Sequence, residues 1–201
     1  MLTAFRNFLY TCAISFDLPI LDWIQANLQS DFMDKFMPFI TKFGDHGTFW
    51  MVIAALLLIF PRTRKTGLGM AFAMLIGLLI CNVTLKPLVA RIRPYDLQAE
   101  LGITIQLLGE RMHDFSFPSG HTIASFEAAV VLLKNSKKMG IPAMILAILI
   151  SFSRLYLYVH YPTDVIVSVI LGTLFAFIGD ALAGLVAPKL GAGRKKGKYE
   201  A

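Results

Sequence analysis

Ser153-Arg154-Leu155-Tyr156-Leu157-Tyr158-Val159-His160-Tyr161-Pro162-Thr163-Asp164 sets an arginine, a histidine and a carboxylate together between strongly apolar segments. Charge is expensive beside hydrocarbon, so ionisable residues at the end of an apolar span are candidates for a functional site by default. Two other clusters share this setting: Lys86-Pro87-Leu88-Val89-Ala90-Arg91-Ile92-Arg93-Pro94 and Pro118-Ser119-Gly120-His121. All three are expected to close around one phosphate group.

Composition sets the scaffold. Of the 201 residues, 56% are hydrophobic and 16% charged, with a mean hydropathy of +0.65. A soluble domain carries about a quarter charged residues, so an integral membrane protein is expected. The net charge of +6 could suit nucleic acid. The lysines and arginines, however, stand in short clusters between apolar runs, which is a pattern of membrane topology, and no nucleic-acid partner is expected. Cys12 and Cys81 lie inside apolar segments without metal-type spacing and read as packing residues. Met1 to Asp22 carries Arg6, then an apolar run broken by Asp17 and no small-residue cleavage site; it reads as a retained first span.

The chain is expected to be one all-α domain, residues 1–201, built as a bundle of six transmembrane helices. The spans run over Asn7–Leu28, Gly47–Phe60, Gly67–Leu85, Pro118–Leu133, Ile141–Tyr158 and Thr163–Val186. The first is weakened by Asp17 and Asp22, and the second is short unless it begins further back. Between them, Ser30–Phe43 alternates Phe32, Met33, Phe36, Met37, Phe39 and Ile40 with Asp31, Asp34 and Lys35. That periodicity predicts an amphipathic helix in the membrane interface. Asp96 to Phe117 is expected to form a lid.

Six alternating spans put Arg62, Arg64 and Lys65, then Lys134, Lys137 and Lys138, and the tail with Lys189, Arg194, Lys195, Lys196 and Lys198 on one side. The positive-inside rule makes that side cytoplasmic, together with both termini. Lys86, Arg91, Arg93, His121, Arg154 and His160 then fall on the extracytoplasmic face, where basic residues should be scarce. An anionic ligand would account for them.

Each cluster has its own chemistry. His160 and Asp164 are four residues apart, and on one helix face the carboxylate would hold an imidazole N–H and fix its tautomer. A neutral histidine so held can attack phosphorus. The same pair would also satisfy a helix end and nothing more, or the histidine could ligate a metal, although no second ligand stands at suitable spacing. Pro118 and Ser119 read as a helix start with Ser119 as cap, Gly120 allows close backbone approach, and the first turn becomes an anion cradle edged by His121. Alone, this motif fits an ordinary capped helix equally well. Lys86, Arg93 and Arg154 supply positive charge for phosphoryl oxygens. Lys86 and Arg93, seven apart, would align on an unbroken helix, but Pro87 works against one. Arg91 and Arg111 read as snorkelling side chains, and His46 and His113 as loop histidines. Asn82, Glu127 and Asp180 read as interhelical polar contacts, with Glu127 a costly acid in mid-span.

Together the clusters spell Lys-x6-Arg-Pro, Pro-Ser-Gly-His and Ser-Arg-x5-His-x3-Asp, in that order. This resembles the three-part signature of the type 2 phosphatidic acid phosphatase family, which shares its site with bacterial acid phosphatases and vanadium haloperoxidases. The resemblance covers Lys86 to Asp164, and no motif position departs from the pattern. It implies that His160 is a nucleophile forming a phosphohistidine, oriented by Asp164, and that His121 protonates the leaving group and then activates water. It further implies that Lys86, Arg93, Ser119, Gly120 and Arg154 bind phosphoryl oxygens, with no metal or other cofactor.

The expected activity is therefore hydrolysis of a lipid phosphomonoester or pyrophosphate in a bacterial cytoplasmic membrane. Undecaprenyl pyrophosphate leads, ahead of phosphatidylglycerol phosphate and phosphatidate. A transporter or flippase of anionic lipids would use the same charges, but no repeat or broken helix supports it. A vanadate-dependent oxidation and a non-catalytic interaction protein are the remaining alternatives.

Overall fold

The computed structural model describes residues 2–190, and every regular element among them is helical. α1 (Leu2–Cys12) passes through a π-helical turn (Ala13–Asp17) into α2 (Leu18–Leu28). Ser30 caps α3 (Asp31–Thr41) by accepting the Met33 N–H, and a tight turn, Lys42–Gly47, leads into α4 (Thr48–Ile59). α5 (Arg64–Gly77) continues through a π-helical stretch (Leu78–Leu85) into α6 (Lys86–Val89), and α7 (Pro94–Glu100) follows. An irregular segment, 101–119, covers most of the expected lid. α8 (Gly120–Asn135), α9 (Lys137–Tyr156) and α10 (Pro162–Val186) complete the bundle.

The bundle is assembled round α8. From Thr122 to Leu132 nearly every residue of this helix is buried, as expected of a helix apolar on all sides. Ala128, Ala129 and Val131 pack with Met70 and Ala73 of α5, Ala147 and Ile150 of α9, and Ala176 of α10. Hydrophobic burial cannot drive helices together in lipid; small residues that let backbones approach do so instead. A Cβ on Gly179 would lie 2.6 Å from both the Ala73 nitrogen and the Gly69 carbonyl oxygen. The outer surface carries exposed Leu56, Ile59, Leu75, Leu79, Ile145, Ile148, Ile170, Leu174 and Leu185. Water would penalise so continuous an apolar surface; acyl chains would not.

Among the described residues, four helical runs are long and apolar enough to cross a membrane: Asp31–Ile59, Arg64–Glu100, Lys137–Tyr156 and Pro162–Val186. The first of these runs is not one straight helix: the turn at Asp45 and His46 separates α3 from α4. Asn7–Leu28 is not among the four, and its contacts explain why. Arg6 donates to the carbonyls of Leu88 and Val89, Asp17 holds Thr163, Asp22 accepts from Tyr158, and Gln25 donates to the Tyr156 carbonyl. Those partners all sit at the end of the bundle where α6, α7 and the α9–α10 turn meet. The helix from Leu2 to Leu28 is therefore held against that end of the bundle through Asp17 and Asp22. At the opposite end Asp180 accepts from Lys134 at 2.8 Å and Asn135 at 2.9 Å and faces Lys65 at 3.6 Å, an interhelical contact of the kind expected.

The α5–α10 contact gives a direct test. Gly179→Val must push two backbones apart, at a cost of about 1–3 kcal/mol, so the thermal unfolding midpoint in detergent should fall by several degrees. Gly109, with open space where its Cβ would be, is the control; Gly109→Ala should leave the midpoint unchanged.

Candidate active site

His160 lies in the turn between α9 and α10, not on the helix. Tyr158 adopts a left-handed φ of 59°, and the Arg154 carbonyl accepts the N–H groups of Val159 and His160 at 3.2 and 3.3 Å. This fold-back buries the imidazole, which is 2% exposed. Nδ1 faces the Asp164 Oδ2 at 3.6 Å, longer than a hydrogen bond, and has no hydrogen-bond partner among the described residues. The expected N–H···carboxylate bond is thus an ion-pair-range contact in this state, because His160 precedes the first turn of α10. Nε2 points to Arg93 Nη1 at 3.4 Å. Burial, reinforced by Arg93, Arg154 and Lys86, holds the imidazole well below its ordinary value of 6.5, and so neutral.

The Asp164 carboxylate is occupied by other groups. It accepts from Arg91 Nη1 at 2.5 Å, from the Ser116 hydroxyl, and from the Tyr161 N–H at 3.1 Å. Arg91 corrects the sequence expectation: it does not snorkel to lipid. It is buried, donates also to Asp17 Oδ2 at 2.7 Å, and stacks 3.8 Å over the Tyr161 ring. Asp17 in turn accepts the Thr163 N–H at 2.9 Å and its hydroxyl at 2.7 Å. Two buried carboxylates thus share one guanidinium, with the N-terminal dipole of α10 supplying further positive potential. Arg111 is exposed, as expected, and pairs with Asp96.

Lys86 and Arg93 do not share a continuous helix, since Ala90 turns left-handed (φ 51°) and ends α6. They are brought together by Asp114, which sequence reasoning passed over. Its carboxylate accepts from Lys86 Nζ at 2.5 Å and from Arg93 Nη2 at 2.5 Å. Arg93 is fixed further by the carbonyls of Asp114 at 2.9 Å and Val159 at 2.6 Å. Burial works to raise the Asp114 carboxyl, but Lys86 and Arg93 outweigh it and hold the group well below the usual carboxylate range. Arg154 is buried behind these groups, donates to the Thr41 hydroxyl at 2.6 Å, and leaves Nε without a partner among the described residues.

Ser119 opens α8, but its side chain does not cap the backbone as expected. Its hydroxyl accepts from Thr122 at 3.1 Å, and its N–H donates to the Ser168 hydroxyl at 2.8 Å. A Cβ on Gly120 would meet the Asn82 amide at 3.3 Å, so this position admits close approach. His121 Nε2 lies 2.9 Å from Asp45 Oδ1.

Lys86, Arg93, Gly120, His121 and His160 line one cavity of about 490 Å³; Ser119, Arg154 and Asp164 stand behind its wall. Away from the charges the cavity runs between α4 and α5 past Met51, Ala54, Leu58, Met74 and Leu78. Glu127, buried in its wall, packs its carboxyl against Gly77 of α5 but leaves Oε1 without a hydrogen-bond partner among the described residues. His46, read as a loop histidine, also lines the cavity, whereas His113 is exposed. Asp17, Asp45, Asp114 and Ser116 escaped the sequence because each gains its meaning from a partner distant along the chain.

Comparison with known proteins agrees with this geometry. Residues 66–183 match the model of the PAP2 superfamily. The chain is 36% identical over 166 residues to an undecaprenyl-diphosphatase of Sulfolobus acidocaldarius, covering 82% of this chain and 77% of that one. The fold superposes on LpxE of Aquifex aeolicus with a TM-score of 0.71 at 25% identity, covering 82% of this chain and 94% of that one. It superposes on a PAP2-type phosphatidylglycerolphosphate phosphatase of Bacillus subtilis with a TM-score of 0.67 at 25% identity, covering 92% and 95%. Motifs, cavity and relatives converge: the chain belongs to the PAP2 superfamily, as a membrane-embedded hydrolase of lipid phosphates.

Proposed function

We propose that the protein removes phosphate from a polyprenyl diphosphate, with undecaprenyl diphosphate the foremost substrate, at the extracytoplasmic face of the membrane. The observation that carries this is the single cavity in which Lys86, Arg93, His121 and His160 meet a long apolar groove between α4 and α5. A phosphoryl group would lie among the cations while its hydrocarbon chain follows the groove. The undecaprenyl-diphosphatase relative supports the choice of chain. Phosphatidylglycerol phosphate is the second reading, supported by the structural likeness to the Bacillus subtilis phosphatase.

In this mechanism neutral His160 attacks phosphorus through Nε2, forming a P–N bond as the P–O bond to the lipid breaks. His121 gives a proton to the departing oxygen and then takes one from the water that releases phosphate. Lys86, Arg93 and the N-terminus of α8 at Gly120 hold the equatorial oxygens, and Arg154 and Ser119 would join them once the phosphoryl group opens the wall they stand behind. Phosphoryl transfer is mostly positioning and charge stabilisation, which these groups provide without a metal ion. Asp114 holds the place of the phosphoryl group on Lys86 and Arg93 and must give way to it. Asp164 keeps the turn bearing His160 in register.

Five crossings, by α4, α5–α6, α8, α9 and α10, would bring the site to one face and the basic loops at Arg62–Lys65 and Lys134–Lys138 to the other. The positive-inside rule makes the loop face cytoplasmic. The N-terminal helix and α3 would then lie in the outer interface, so the N-terminus is placed outside, contrary to the six-span expectation, and the C-terminus inside.

His160→Ala should lower phosphate release from undecaprenyl diphosphate by more than about a thousandfold, while saturating EDTA leaves the unmodified protein at full rate. Persistent turnover in the variant, or loss in EDTA restored by magnesium, would contradict the mechanism. Topology is checked in intact cells with a membrane-impermeant maleimide, after Cys12 and Cys81 are replaced by serine. Thr3→Cys and Glu110→Cys should be labelled and Lys137→Cys should not; the reverse pattern would turn the site to the cytoplasm.

A further inference from the structure

The Lys42–Gly47 turn is shaped around the imidazole of His121. Gly44 lies flat against the ring, where a Cβ would come within 2.6 Å of His121 Cδ2. Asp45 is extended (ψ 119°), and the two residues after it, His46 and Gly47, both adopt left-handed φ values of 51° and 68°. A non-glycine residue in that region costs energy and calls for a reason. Here the sharp reversal points the Asp45 carboxylate back at His121 Nε2, 2.9 Å away. Nδ1, the other ring nitrogen, has no protein partner among the described residues, and the ring lines the cavity. None of the three sequence motifs contains Asp45.

We propose that Asp45 is a positioning residue for His121: it accepts Nε2–H of the imidazolium, so that the ring's second proton, on Nδ1, is the one delivered to the leaving lipid oxygen. The inference rests on His121 acting as the general acid. In the step concerned, the P–O bond breaks with its electron pair remaining on the lipid oxygen. The proton on Nδ1 moves to that oxygen, and His121 is left as a neutral ring still bonded to Asp45. Fixing a tautomer through a carboxylate on the far nitrogen is a general device for aiming an imidazole. His160 would then be held by one carboxylate network and His121 by another, on opposite sides of the phosphoryl group.

A general acid matters in proportion to how poorly the oxygen leaves. An alkoxide needs the proton; a nitrophenolate does not. The test compares kcat/KM, which reports steps up to the first irreversible one, for dodecyl phosphate and p-nitrophenyl phosphate with the purified protein in detergent. Asp45→Asn should lower kcat/KM for dodecyl phosphate about tenfold or more and for the aryl ester less than threefold, and Asp45→Glu should recover most of the loss. His121→Gln should show the same split, larger. Equal losses on both substrates in Asp45→Asn, or no loss on either, would overturn the role of Asp45 while the split in His121→Gln stands. Undiminished dodecyl phosphate cleavage in His121→Gln would instead remove the general-acid assignment itself.

Discussion

Arg91, buried between Asp17 and Asp164, is the interaction on which the rest depends. Its guanidinium joins three parts of the chain: the N-terminal helix through Asp17, the loop after α6 on which it stands, and the first turn of α10 through Asp164. A charge so placed is tolerable only because both carboxylates and the Tyr161 ring surround it. Removing any one member would strand the others, and breaking a buried pair typically costs about 3–5 kcal/mol. The network holds the first turn of α10 next to the turn that carries His160, so its geometry sets that of the imidazole. It also explains why a helix punctuated by acids lies across the end of the bundle.

Around that anchor the site divides its labour between charge and hydrocarbon. At one end of the cavity Asp114 bridges Lys86 and Arg93, its one negative charge offsetting part of their positive charge and keeping both side chains ordered. Deeper in, the walls turn apolar between α4 and α5. A substrate with a phosphorylated head and a long chain satisfies both halves, whereas a soluble phosphate ester would satisfy only the first. The buried imidazole of His160, kept neutral by desolvation and by its cationic neighbours, is suited to nucleophilic attack at ordinary pH.

Much of this was legible in the chain. The apolar segments from α5 onward were placed closely, because long runs of Leu, Ile and Ala bounded by basic loops have few alternatives. The three motif clusters announced their cavity, since cations and histidines at the ends of apolar spans are costly without a ligand. Less legible was everything that depends on pairing across the fold. Arg91 looked like an ordinary interfacial arginine because its partners, Asp17 and Asp164, are 74 and 73 residues away. Asp17 and Asp22 were visible as blemishes in a first span, but their meaning, a helix held along one end by polar contacts, appears only in three dimensions. Asp45 and Asp114 lie in turns whose course no periodicity dictates. His160 and Asp164 meet at ion-pair range and not through a hydrogen bond on one helix face, for a local reason: a left-handed residue at Tyr158 and a proline at position 162 place the histidine before the helix begins.

The most direct measurement is a crystal structure with orthovanadate bound. Vanadium should lie at bonding distance from His160 Nε2, with Lys86 and Arg93 on its equatorial oxygens, His121 opposite, and the Asp114 carboxylate displaced. Vanadate bonded to His121 instead, or held elsewhere with Asp114 still bridging Lys86 and Arg93, would contradict the account.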